Sequence, residues 1–129
     1  MKKAKKRIIV RLALQVLEAY EEDKVIFQFE CVTGDENNPT NPGTFYVFNK
    51  QRMYRSKKYD AQMNYALFFS ADGKAIHQYH GPVPLNMLRL TKQRITNWVG
   101  SHGCVRLTEE NARKLFDWTP SGTKITIQQ

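Results

Sequence analysis

The feature that most constrains the fold of this 129-residue chain is an alternation of apolar and polar residues near its start. In "RIIVRLALQV" the residues Ile8, Val10, Leu12, Leu14 and Val16 recur at every second position. A period of two places all five on one face of an extended strand, whereas a helix would scatter them around its axis. The polar "YEEDK" interrupts the run as a hairpin turn does, and "KVIFQFECV" resumes it with Val25, Phe27, Phe29 and Cys31 on one face. Paired strands with one side buried are the expectation.

The same reading extends along the chain. "TGDENNPTNPGTF" concentrates Gly, Asn, Asp and Pro, which predicts a long loop with a tight turn at Asn41-Pro42-Gly43. "TFYVFNK" returns to a strand pattern. "YALFFS" and "KAIHQY" follow as two more strands, joined by a hairpin at Ala71-Asp72-Gly73. Residues 82–100 carry Leu85, Leu88, Ile95, Trp98 and Val99 at helical spacing, for a helix packed on the body or a lid over a site. Thr108 is placed to cap a further helix, with Glu109 and Glu110 in its first turn and Ala112, Leu115 and Phe116 as its buried stripe. Pro120 and Gly122 stop that helix, and "TKITI" closes the chain as a strand. The fold class expected is mainly β with one or two helices.

The length suits a single domain over 1–129, with "MKKAKKR" (1–7) as a solvated basic tail. A hydrophobic content of 41% separates the chain from disordered sequences. The net charge of +8 favours an anionic partner such as nucleic acid, a membrane surface or an acidic wall polymer. No helix-turn-helix, zinc-finger or RRM pattern accompanies the charge, which argues against nucleic acid as the partner. No stretch reaches the roughly 18 apolar residues of a membrane span. Arg11 and Gln15 break the first apolar run, and no small-residue cleavage site follows it, so the run reads as a strand rather than a secretion signal. The expected location is the cytoplasm, or the periplasm or cell wall if an export signal has been removed.

Two cysteines allow at most one disulfide. Cys31 falls on the apolar face of its strand and reads as core. Cys104 stands instead in "VGSHGCVRLTEENARKLFDW", beside His102 and Gly103 and two residues before Arg106. A thiol attacks as thiolate, so a cysteine nucleophile needs a base or a local positive field to ionise it. All three histidines, His77, His80 and His102, fall upstream of it. His77 and His80 lie three apart in a strand and face opposite ways, so one is the base candidate and the other structural. His77, directly after Ala75 and Ile76, is the better held. His80, before Gly81-Pro82, opens a looser segment.

Gly103 permits a turn whose backbone N–H groups reach a developing oxyanion. Arg106 suits either a substrate carboxylate or a structural ion pair. A zinc hydrolase using His77, His80, His102 and Cys104 is a rival reading. Its histidine pair is awkwardly spaced, however, and no Asp or Glu stands ready as base.

"SHGCVRL", the capped helix after it and the terminal "GTKITI" resemble the L,D-transpeptidase catalytic domain, or YkuD-like, family. "IIVRLALQVLEAYEEDKVI" resembles that family's opening hairpin, "GDENNPTNPGTFYV" its Thr-Pro-rich loop and strand, and "YALFFSADGKAIHQ" the segment bearing its upstream histidine. The resemblance implies a β-sandwich or barrel-like fold and a nucleophile at Cys104. It also implies a general base at the upstream histidine and supporting roles for Ser101, His102, Gly103 and Arg106. The implied substrate is a peptidoglycan stem tetrapeptide, cut between the L-centre of its third residue and a departing D-Ala. Transfer to an amine makes a cross-link, and transfer to water is carboxypeptidase trimming, the role favoured in a cytoplasmic protein. No metal or organic cofactor is implied. A non-catalytic wall-binding module and a wall-targeting effector are the alternatives from other classes.

Overall fold

The computed structural model describes residues 5–34, 39–58, 60–81, 84–90 and 103–129. Strands β1 (Lys6–Arg11), β2 (Val16–Glu21) and β3 (Lys24–Glu30) form an antiparallel meander. β11 (Lys124–Gln128) pairs parallel to β1, and β4 (Gly43–Tyr46) pairs antiparallel to β11. The resulting five-stranded sheet has the order β3-β2-β1-β11-β4.

A second sheet has the order β10-β9-β8-β5, from β5 (Asn49–Gln51), β8 (Ala66–Phe68), β9 (Ala75–Gln78) and β10 (Val105–Leu107). A short ribbon of β6 (Arg55–Ser56) and β7 (Ala61–Gln62) stands beside them. The segment after β4 passes from the first sheet to the second. After β4, the Val47 N–H donates to the Thr123 carbonyl, the Phe48 N–H donates to the Phe68 carbonyl, and the chain continues as β5.

The core lies between these layers. Ile8, Val10, Leu17, Ile76, Val105, Leu107, Leu115, Ile125 and Ile127, from both sheets and a helix, belong to one buried apolar cluster. That helix, α2 (Glu109–Trp118), begins as expected: Thr108 is extended, its hydroxyl accepts from the Asn111 N–H, and Ala112, Leu115 and Phe116 are buried. It ends before Pro120, and Gly122 takes φ +91 in the turn to β11. The shorter α1 (Leu85–Leu90) buries Leu85 and Leu88 against Val32, with Tyr79 beside them. It packs on the body, and the remaining residues of the expected helical face, Ile95, Trp98 and Val99, lie outside the described residues.

Three expectations need correction. The first strand stops at Arg11, because the chain must reverse for Arg11 to pair with Val16. Leu12 and Leu14 belong to the turn, and Leu14 is exposed despite fitting the alternation. Gln15 holds that turn at φ +54, with its amide donating to the Leu12 carbonyl and the Thr33 hydroxyl, each at 2.7 Å.

Next, Val25 does not share the buried face of Phe29 and Cys31. Ala19 pairs with Phe27 but Tyr20 pairs with Val25, so Ile26 is an extra residue that turns Val25 outward. Finally, the expected basic tail ends earlier than residue 7. Lys6 and Arg7 are part of β1; Lys6 Nζ donates to the Trp118 carbonyl at 2.8 Å, and Arg7 lies over the Tyr20 ring.

Candidate active site

β9 and β10 run parallel, with Ile76 opposite Val105, His77 opposite Arg106 and Gln78 opposite Leu107. Paired residues of neighbouring strands share a face, and successive residues alternate faces. Ile76, Val105 and Leu107 enter the main core. Ala75, His77 and Arg106 therefore occupy the opposite face. Cys104, two residues before Arg106, follows them there. It packs with Met63, Ala66, Phe68 and Ala75 in a cluster separate from the main core. The Ala75 N–H points at Cys104 Sγ, 3.4 Å away. Reciprocal hydrogen bonds between Val32 and Arg106, at 3.0 and 2.9 Å, hold the other edge of β10.

Burial governs the protonation of this face. Cys104 is 2% exposed, and desolvation pushes its thiol up to about 11, against the helping charges of Arg106 and Lys74. Desolvation likewise pushes His77 down to about 3, and Arg106 and His80 add to that effect. Both groups rest neutral near pH 7. The sequence alone indicated that this thiol would need help to ionise, and burial makes that need larger. His77 Nδ1 lies 2.7 Å from the Gln78 carbonyl, which can only accept, so Nδ1 carries the proton and Nε2 keeps the lone pair. A neutral imidazole of fixed tautomer is the form that can receive a proton.

Gly103 takes φ +91, a conformation that side chains disfavour. Its surroundings also leave no room: a Cβ there would lie 2.6 Å from Lys74 Cε and 2.9 Å from the Pro39 carbonyl oxygen. Thr40 fastens the same turn. Its buried hydroxyl donates to the Gly103 carbonyl at 2.7 Å and accepts from the Gly34 N–H at 2.8 Å. The Pro-rich loop is thus tied to the residue preceding the cysteine. Thr40 and Lys74 were not singled out from sequence. Thr40 offered only its place in a loop rich in turn formers, and Lys74 only its place three residues before His77.

Of the expected site residues, Cys104, His77 and Arg106 lie on one face of the β9–β10 pair, with Gly103 next to the cysteine in the chain. Arg106 is buried, and its guanidinium lies 5.4 Å from the centre of the Tyr79 ring. His80 lies beyond the end of β9, where burial lowers its basicity and the charge of Glu109 on α2 raises it. Ser101 and His102 lie outside the described residues. Among the described residues no group of three His, Cys, Asp or Glu is placed to hold a metal ion. No helix among them is long and apolar enough to cross a membrane.

Residues 5–127, nearly the whole chain, match the L,D-transpeptidase catalytic domain, YkuD. The chain belongs to that family. Its fold is also similar to that of an L,D-transpeptidase from Stackebrandtia nassauensis, with TM-score 0.79 and 29% identity over 98% of this chain and 56% of that one. A cysteine-to-serine mutant of an Enterococcus faecium L,D-transpeptidase superposes with TM-score 0.76 at 25% identity, covering 95% of this chain and 49% of that one. The Ldtfm–avibactam carbamoyl enzyme does so with TM-score 0.76 at 27% identity, covering 97% and 49%. No curated protein matches the chain. This L,D-transpeptidase-family chain thus spans about half the length of the solved structures it resembles. The mainly β fold with its helices, expected from the sequence, is the fold of this family.

Proposed function

We propose that this L,D-transpeptidase-family chain is a cysteine acyltransferase acting on peptidoglycan stem peptides. The observation that carries the reading is the parallel register of β9 on β10. It puts His77, Arg106 and the Cys104 sulfur on one face of the sheet, away from the main core.

The chemistry follows from the resting protonation states. His77 Nε2 takes the thiol proton as Cys104 Sγ attacks the carbonyl of the amide between the L-centre of the third stem residue and D-Ala. A neutral thiol beside a neutral imidazole makes deprotonation part of the attack, so the ion pair forms as the C–S bond forms. Backbone N–H groups of the Gly103–Cys104 turn stabilise the oxyanion, and the tight packing of Gly103 keeps them oriented before substrate arrives. The imidazolium then gives its proton to the departing D-Ala amine, leaving a thioester. An amine of a second stem resolves the thioester to a cross-link, and water resolves it to a tripeptide. Arg106, by its charge, favours the thiolate and disfavours a lasting imidazolium, which helps the proton move on to the leaving group.

The test is incubation with a disaccharide-tetrapeptide followed by mass spectrometry. Dimer formation reports transfer to an amine, tripeptide reports transfer to water, and Cys104→Ala should abolish both. Product formation undiminished in Cys104→Ala would reject the proposal.

A further inference from the structure

The β8–β9 turn, residues 69–74, packs against the Gly103–Cys104 turn through Lys74. It is braced internally: the Ser70 hydroxyl donates to Asp72 Oδ1, the Lys74 N–H donates to Ser70 Oγ at 3.3 Å, and the Phe69 N–H donates to the Lys74 carbonyl at 3.1 Å. The neighbouring ribbon adds Lys58, whose Nζ donates to the Asp72 carbonyl at 3.0 Å. Lys74 leaves this brace toward the site. Its Nζ lies 3.3 Å from Asp72 Oδ2, its Cε fills the space where a Gly103 side chain would sit, and it is 19% exposed. A lysine with its stem confined and its ammonium held by one carboxylate keeps its charge in one place and retains N–H donors beyond that pair.

The geometry points to Lys74 as a positioning residue of this site: its stem packs against Gly103, next to the reacting cysteine, and its ammonium, paired with Asp72, puts a positive charge at that turn. The inference rests on the reading of Cys104 as the nucleophile. The charged groups acting at that sulfur, among the described residues, are Arg106 from β10 and Lys74 and Asp72 from the β8–β9 turn, with His77 of β9 on the same face. Lys74 and Arg106 favour the thiolate, and Asp72 opposes it. The two members of one ion pair therefore act on the thiol with opposite sign. A merely structural brace has no such property, since breaking it from either end loosens Gly103 in the same way.

The experiment uses a Cys31→Ala background, so that Cys104 is the one thiol, and follows its alkylation by iodoacetamide across pH by intact-protein mass spectrometry. Below the thiol's midpoint the rate measures the thiolate fraction. Lys74→Met keeps the stem and removes the charge; it should slow alkylation about three- to tenfold at each such pH, a shift of half to one pH unit in the profile. Lys74→Arg should restore most of the rate, and Asp72→Asn should raise it above the parent. Loss of the Lys74→Met effect, or movement of Lys74→Met and Asp72→Asn in the same direction, overturns the inference. If Lys74→Met fails to fold, Lys74→Arg and Asp72→Asn still decide it: the first must match the parent and the second exceed it. Failure of Cys104 to react with the reagent at any pH in the folded parent would overturn the nucleophile reading itself, and is thereby distinguishable from a parent that reacts while Lys74→Met leaves its profile unmoved.

Discussion

Cys31 and Cys104 are both shielded from solvent, at 0% and 2% exposure, but their surroundings differ in kind. Cys31 belongs to the main apolar cluster between the sheets. Cys104 belongs to a smaller cluster on the far face of β9–β10, where an N–H points at its sulfur and the charges of Arg106 and Lys74 reach it. Accessibility alone does not separate a packing thiol from a reacting one. The polar groups organised around the sulfur do.

The sharpest way to break this contrast is to exchange what each thiol contributes. Replacing Cys104 with Ser should lower the rate of tripeptide or dimer formation by at least about a thousandfold, because the alcohol is a far weaker nucleophile without a tuned base. Thermal melting should move little, and a large loss of stability with activity retained would make Cys104 a packing residue like Cys31.

The next effect concerns the base. His77→Ala should reduce kcat by roughly a hundred- to ten-thousandfold, the usual contribution of a positioned general base. His80→Ala should stay within a few-fold, as it stands beyond the end of β9. Steady-state assays of both variants check this, and the reverse ranking would move the role to His80.

Thr40→Val probes the tether of the nucleophile's turn. It leaves the Gly103 carbonyl and the Gly34 N–H without their shared hydroxyl, and should cost about 1–3 kcal/mol in chemical denaturation. A loss of rate should accompany it, whereas Cys31→Ala should cost about 1 kcal/mol and leave the rate within twofold. Equal kinetic effects of these two substitutions would erase the distinction between the regions.

A further effect is in pH dependence. The folded protein holds His77 at about 3, below its ordinary value of 6.5, so between those values the unfolded chain binds the extra proton. The stabilisation is complete above about pH 6.5 and is lost progressively as pH falls toward 3. Denaturant melts should show the parent losing more stability than His77→Gln as pH falls from about 6.5 toward 3. A parent whose stability stays flat across that window would contradict the buried, neutral imidazole.

Much of this molecule was readable before folding. The meander, the hairpin at Ala71-Asp72-Gly73 and the Thr108-capped helix follow from local periodicity and turn chemistry, which act over a few residues. The cysteine motif likewise pointed to Cys104 without any coordinates. The errors came where partners intervened. Leu12 and Leu14 keep the strand alternation yet lie in a turn, because β2 returns to pair with β1 at Arg11. Val25 was turned outward by a bulge that exists only in the pairing with β2. Thr40 and Lys74 were overlooked because each acts on Gly103 from a distant part of the chain, and no pattern near them records that contact.

By itself the sequence determined that the chain would be mainly β and where its helix after the cysteine would start and stop. Only the tertiary structure decided that the thiol and imidazole are buried and neutral, and that Arg106 lies across from His77. The reason is physical: strand propensity and caps are settled by neighbours in the chain, whereas desolvation and the sum of nearby charges depend on which segments meet in space.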